Sequence, residues 1–312
     1  MNTQSNAMPE SHLESQVAAP VVISGTRRMY WSLRRELWEY RSIYIAPLAA
    51  ASLFLFGFLI STIHLPAKMR SLSALDSAQQ REAIVMPYDM AAGLIMLTAL
   101  IVGVFYTLDA LHGERRDRSI LFWKSLPVSD LTTVLSKASI PLLVLPLLAF
   151  TFTVALQFIM LLLSTAVLLG SGLNVATLWT RLSFVQMSLL LLYHLLTVHS
   201  LWYAPFYGWL LLVSGWARRA TFLWAVLPLL AITIFETITF HTTHFIRMLG
   251  NRLTGFAAEA FDFQGQHNPD IHSLSQLTPG RYLSTPDLWI GLAVAAAFIF
   301  AAVRLRRYRG PI

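Results

Sequence analysis

The chain contains no cysteine, which excludes disulfides, thiolate catalysis and Cys-ligated zinc or iron–sulfur centres. Charge is scarce as well. Only 12% of the 312 residues are Asp, Glu, Lys or Arg, while 56% are hydrophobic; a soluble domain carries about 25% charged residues. A soluble fold of this size would lack polar surface. Several uncharged runs instead reach the ~20 residues needed to cross ~30 Å of hydrocarbon at ~1.5 Å per residue. The common catalytic motifs are also missing: there is no G-x-x-x-x-G-K-[ST] loop, no H-E-x-x-H and no G-x-S-x-G. The chain therefore reads as a polytopic all-α membrane protein that is not itself an enzyme. If ATP is used, another chain binds it.

Residues 1–26 are polar and mixed, without an apolar stretch behind a basic start, so they are expected to be a disordered tail and not a cleavable signal. From 27 to 42 the pattern changes. Tyr30, Leu33, Leu37, Tyr40 and Tyr44 recur at helical steps, with Arg28, Arg35 and Glu39 on the other side and Trp31 and Trp38 suited to the headgroup level. This predicts an amphipathic interfacial helix. Six spans are expected within 43–303. The first covers about Ile43–Ile63 and the second about Met90–Leu111, joined by an outside loop over 64–89. The third lies in the 32 uncharged residues Ala138–Leu169, where Pro141 and Pro146 predict a helix that starts below the membrane and bends on entry. The fourth occupies Leu182–Ala217, whose 36 residues are too many for one straight span and too few for two. A broken helix fits, with the break near Pro205 and Gly208. The fifth is Thr221–Phe240 and the last Leu288–Val303, followed by a basic tail at 304–312. Before it, 241–287 forms a second long loop whose first half suits a short amphipathic or re-entrant helix.

The net charge of +7 would suggest a nucleic-acid partner in a soluble protein. Here the basic residues collect in loops on one side, and no nucleic acid is expected. With both ends on one side of six spans, that side receives sixteen of the 23 Lys and Arg residues. The positive-inside rule then places both termini in the cytoplasm.

The most informative stretch is 111–137, LHGERRDRSILFWKSLPVSDLTTVLSK, between spans two and three. It holds Arg115, Arg116, Arg118, Lys124 and Lys137, yet also Ile120, Phe122, Trp123 and Leu126. A merely solvated charge run has no use for those apolar side chains. Pro127 should end one helical segment and Ser129 should cap the next. The stretch reads as a short cytoplasmic helix offered to a partner.

Elsewhere the chemistry is sparse. His194, His199 and Glu236 lie at membrane depth and are candidate pathway residues. Glu236, His241 and His244 have a spacing that could hold a metal ion, although no third spacing compels it and no metal site is assigned. The aromatic group Trp202, Tyr203, Phe206, Tyr207 and Trp209 suits an interfacial belt.

An amphipathic cytoplasmic helix, six spans, and an E-R-x-x-x-S-[apolar] segment leading to L-P-V-S and a later Lys together resemble the permease subunits of ABC-2 type transporters. The matching positions are Glu114, Arg115, Ser119, Ile120, Leu121, Leu126, Pro127, Val128, Ser129 and Lys137. The resemblance implies an elbow helix carrying Tyr30, Trp31, Leu33, Leu37 and Trp38. It also implies a coupling helix within 112–137, where Glu114, Arg115, Arg116, Ser119, Ile120, Leu121, Phe122, Trp123, Leu126 and Pro127 meet a separate ATPase dimer, and re-entrant helices before span six. ATP and Mg would then be bound by the ATPase, with no cofactor in this chain. A second permease copy or relative, a bacterial inner membrane and outward transport complete the expectation. The alternatives are a membrane-embedded metal-dependent enzyme built on Glu236, His241 and His244, or a secondary transporter that needs no ATPase.

Overall fold

The computed structural model describes residues 24–72, 74–125, 128–255, 260–261 and 274–312. Among these the protein is almost entirely helical, and the one extended contact is an isolated antiparallel bridge between Phe261 and Leu277. Among the described residues six helical stretches are long and apolar enough to cross a membrane: Ser42–Leu72, Ser77–Arg116, Asp130–Gly170, Ala176–Trp202, Thr221–Phe240 and Pro286–Tyr308.

Helix α1, Gly25–Glu39, opens on Ser24, whose hydroxyl accepts the Arg27 amide, and closes at Tyr40. The interfacial helix expected over 27–42 therefore ends a turn early, and the first span begins separately as α2, Ser42–Ser61. The region 64–89 is not a loop. It forms α3, Leu65–Leu72, and the first turns of α4, Ser77–Ala110, which starts well before the expected Met90. Local chemistry explains the difference. Asp76 accepts the Gln79 amide at 2.8 Å and so caps the new helix. Pro87 inside α4 has no N–H for the carbonyl four residues back, and Lys68 Nζ donates to that Ala83 oxygen at 3.3 Å.

After α4 come the short helices α5, His112–Arg116, and α6, Ser119–Ser125. Arg118 joins them at a left-handed φ of 58°, a conformation that an L side chain rarely adopts. Ser129 caps α7, Asp130–Ser139, by accepting the Thr132 amide at 3.1 Å, as its position predicts. The bend expected at Pro141 is a π-helical turn, Ile140–Val144, which carries the chain into α8, Leu145–Gly170. Widening the helix by one residue per turn accommodates a ring that has no amide to donate.

The broken fourth span is α10, Phe184–His194, a π-helical segment Leu195–Trp202, and α11, Ala204–Trp216, with the short α9, Ala176–Arg181, ahead of it. The break falls at Tyr203. Pro205 then occupies the first turn of α11, where a missing N–H costs nothing. Gly208 serves a different purpose from the expected break: a Cβ there would stand 3.2 Å from the Ala295 carbonyl oxygen, so glycine lets α11 lie against the last span.

The core centres on α4, which packs against α2, α8 and α11, while α11 runs along α15, Pro286–Tyr308. The last helix thus runs on through 304–308, the first half of the basic tail expected over 304–312. On the periphery lies α12, Thr221–Phe240, with Ala225 its one buried residue. It is followed by α13, His244–Thr254, and, before the last span, α14, Pro279–Ser284.

Candidate functional site

The charged end of the bundle is built around Lys137, on α7 and fully buried. Its ammonium lies 3.0 and 3.1 Å from the two oxygens of Glu36, which is also fully buried. It lies 3.2 Å from Oε1 of Glu114. Glu114 is the hub. Its Oε1 also accepts from Arg35 at 3.1 Å, and its Oε2 accepts from Arg306 at 3.2 Å. Arg35 bonds Glu36 as well, Arg306 bonds Asp130, and the Tyr106 hydroxyl donates to Glu36 at 2.9 Å. Three acids and three bases from α1, α5, α7 and α15 therefore neutralise one another inside the fold. Burial alone would raise the Glu36 carboxyl, but Lys137 and Arg35 outweigh it and hold the group below its usual range.

This network reassigns part of the segment 112–137. Glu114 and Arg115 carry the expected spacing but do not face outward, since only 3% and 5% of their surfaces are exposed. Arg115 donates to the carbonyls of Gly215 at 2.8 Å, Ala217 at 3.3 Å and Gly310 at 3.2 Å, so it staples the end of α11 to the chain beyond α15. Ser214 Oγ accepts the amides of Leu111 and His112 at 2.9 and 3.0 Å, which turns the chain from α4 into α5. Ile120 is buried too, and Ser119 is half-buried with its hydroxyl on the Glu114 carbonyl at 3.4 Å. The apolar inner edge of α6 needs a core to hold it, and this explains why those positions point inward.

What remains on the surface is compact. Arg116, Leu121 and Phe122 are about 60% exposed. Trp123 is half-buried, its ring edge-on to Phe122 at 4.9 Å and covered by the Arg35 guanidinium at 4.0 Å. Leu126 and Pro127 lie outside the described residues.

Helix α1 divides its faces as its sequence predicts at Leu33 and Leu37, and departs from the expectation at Tyr30 and Arg35. Leu33 and Leu37 pack on the core while Tyr30, Trp31 and Trp38 are exposed, and Arg34 stacks between the two tryptophans at 5.1 and 4.9 Å. Tyr30 thus leaves the apolar face expected of it, and Arg35, expected on the polar face, reaches inward to Glu36 and Glu114.

At the opposite end, the rings of His194 and His199 lie 5.9 Å apart, in and beside the π-helical segment. His194 stacks on Phe261 and His199 meets Tyr203 edge-on. Glu236 does not join them. Its Oε1 accepts the Thr242 hydroxyl and the His244 amide, both at 2.7 Å, and its Oε2 accepts the Phe245 amide at 2.8 Å. The carboxylate thereby caps α13 from the end of α12. His244 Nδ1 is 3.3 Å away, and among the described residues no group of three metal-ligating side chains forms.

Sequence reasoning missed Glu36, Tyr106, Asp130 and Arg306 as members of the buried network. A signal for Glu36 was present: it stands three residues after Leu33 and four before Tyr40, a carboxylate in the middle of an otherwise apolar helical face. Compared with family models, with curated proteins and with solved structures, the chain matches none.

Proposed function

We infer that the chain is the membrane-spanning permease subunit of an ABC-2 type transporter, driven by a separate ATPase that docks on α5 and α6. The observation that carries this reading is the division of one short segment into two faces. Outside stand Arg116, Leu121 and Phe122, a basic and aromatic surface. Inside, Glu114 is bonded to helices that lead into three spans: α1 into the first, α7 into the third, and α15. A push on α6 moves these together, because displacing one of them alone would leave a buried charge without its partner. This arrangement supports elbow and coupling roles for α1 and α6. ATP and Mg belong to the partner, and no step of hydrolysis is assigned to this chain.

The rest of the proposal concerns assembly. Helix α12 leaves nearly all of its apolar surface uncovered, which favours a second permease against it and a pathway at that interface. The distribution of basic residues favours cytoplasmic termini in a bacterial inner membrane, with outward transport as the direction.

The test is co-purification from gently solubilised native membranes. A soluble ATP-binding cassette protein should accompany the tagged chain and be lost from the Arg116→Glu/Phe122→Ala double variant, with membrane insertion unchanged. Both positions are exposed, so loss cannot be traced to the core. Equal recovery of the ATPase with that variant would overturn the reading, as would the absence of any nucleotide-binding partner.

A further inference from the structure

At the end of the bundle away from the ion-pair network, α11, α12, α13 and α15 enclose a groove of about 950 Å³. Its walls are apolar, from Phe206, Trp209, Leu229, Ile232, Val294 and Phe298. Along α15 the lining runs from Asp287 to Phe298, about 16 Å at the helical rise, or roughly half the depth of the hydrocarbon core. Such a groove in a bilayer fills with hydrocarbon. Its mouth decides what the hydrocarbon is attached to.

That mouth carries Arg247, Arg252 and Asp287, two cations to one carboxylate. Arg252 is held in an unusual way. Its guanidinium lies 4.2 Å over the ring of Trp202, whose Nε1 donates to the Arg252 carbonyl at 2.7 Å. Nη1 donates to the Asp287 carbonyl at 2.9 Å. Nε and Nη2 are buried and have no acceptor among the described residues. They rest in a slot over Gly291, where Nη2 occupies the space a Cβ would take. Nε and Nη2 form the edge of a guanidinium that grips two oxygens of one anion. A fork left without its acceptor at the head of an apolar groove lacks an anionic oxygen pair joined to a hydrocarbon chain.

We propose that this groove binds one anionic phospholipid from the leaflet on that side of the membrane. Its phosphate takes the Nε–Nη2 edge of Arg252, turned out of the Gly291 slot, with Arg247 as the second cation. One acyl chain lies between α11, α12 and α15. The site goes beyond the transport reading and stands whether or not an ATPase docks on α6.

The experiment is native mass spectrometry of the full-length chain, stripped of lipid in detergent and titrated with phosphatidylglycerol or with phosphatidylcholine of the same acyl chains. One phosphatidylglycerol per chain should be retained in preference to phosphatidylcholine. Arg252→Gln should weaken retention by about tenfold or more, as loss of a charge-assisted pair of hydrogen bonds implies. Val294→Trp, at a partly exposed position lining the groove, should fill the groove and abolish retention without touching the charge, so the test survives if Arg252→Gln fails to fold. Equal retention of the two lipids, or retention unaltered by Val294→Trp, would overturn the proposal. Displacement of phosphatidylglycerol by glycerol 3-phosphate would overturn it too, because the headgroup alone would then account for binding.

Discussion

The two ends of the bundle handle charge in opposite ways. At one end six ionised side chains gather, four of them buried and Arg35 and Asp130 half-buried, and each finds a partner on another helix. At the other, Arg252 is held among the described residues by one backbone acceptor and an aromatic face, beside a helix, α12, that hardly touches the core. Carboxylate–cation pairs between neighbouring helices make the first end a unit, since moving any one helix exposes an uncompensated charge in a low-dielectric interior. Incomplete pairing and an open groove leave the second end able to admit something else. The proposed function, a push taken at one end and a lipid held at the other, would make use of this asymmetry.

The asymmetry breaks first at Lys137. Replacing it with Met removes the cation between Glu36 and Glu114 and should cost about 3–5 kcal/mol, the usual penalty for stripping one partner from a buried pair. The expected result is a much lower melting temperature in detergent, partly restored in the Lys137→Met/Glu36→Gln double variant. A single variant as stable as the parent would mean that the network is not what binds α1, α7 and α15. Acid is a gentler probe of the same unit. Folding holds the Glu36 carboxyl below its ordinary value near 4.5, so its contribution is complete above that pH and lost as pH falls through the lower folded value. Thermal stability should therefore drop on acidification below about pH 4.5, less steeply in Glu36→Gln, whose side chain cannot titrate. Identical pH profiles for the two proteins would remove Glu36 from the account.

How much of this was legible in the sequence depends on the range of the interaction. Uncharged runs located all six spans, because hydrocarbon tolerates little charge at any position. The length of Leu182–Ala217 disclosed a broken helix, and Ser129 disclosed its cap, both through rules that reach only a few residues. Glu114 and Lys137 were singled out by spacing, yet nothing local says that they meet. Glu36 and Lys137 lie 101 positions apart. Arg306 was read as part of a basic tail because charge near a span end reports the side of the membrane, and it cannot report that the side chain turns back into the core. The region 64–89 misled for a similar reason: balanced charge marks a water-facing segment, and water-facing segments can be helical when Asp76 supplies a cap.

At the open end of the bundle, Glu236 should show a smaller effect than any of these. The sequence allowed this carboxylate two roles, a pathway group at membrane depth or a metal ligand with His241 and His244. The structure gives it a third: both oxygens are occupied by the first amides of α13 and by Thr242, across a turn in which His241 takes a left-handed φ of 53°. A cap of this kind is worth about 1 kcal/mol. Because α12 and α13 barely join the core, that loss should stay local. Glu236→Ala should speed hydrogen exchange at the amides of 244–247 with little change in global melting, and Glu236→Gln, which keeps one acceptor oxygen, should fall between. A metal ligand behaves differently, since zinc added to the parent protein would then slow exchange over the same amides and Glu236→Ala would abolish the response. Loosening α13 also frees the helix that carries Arg252, so Glu236→Ala should weaken phosphatidylglycerol retention modestly while leaving the charged end of the bundle unaffected.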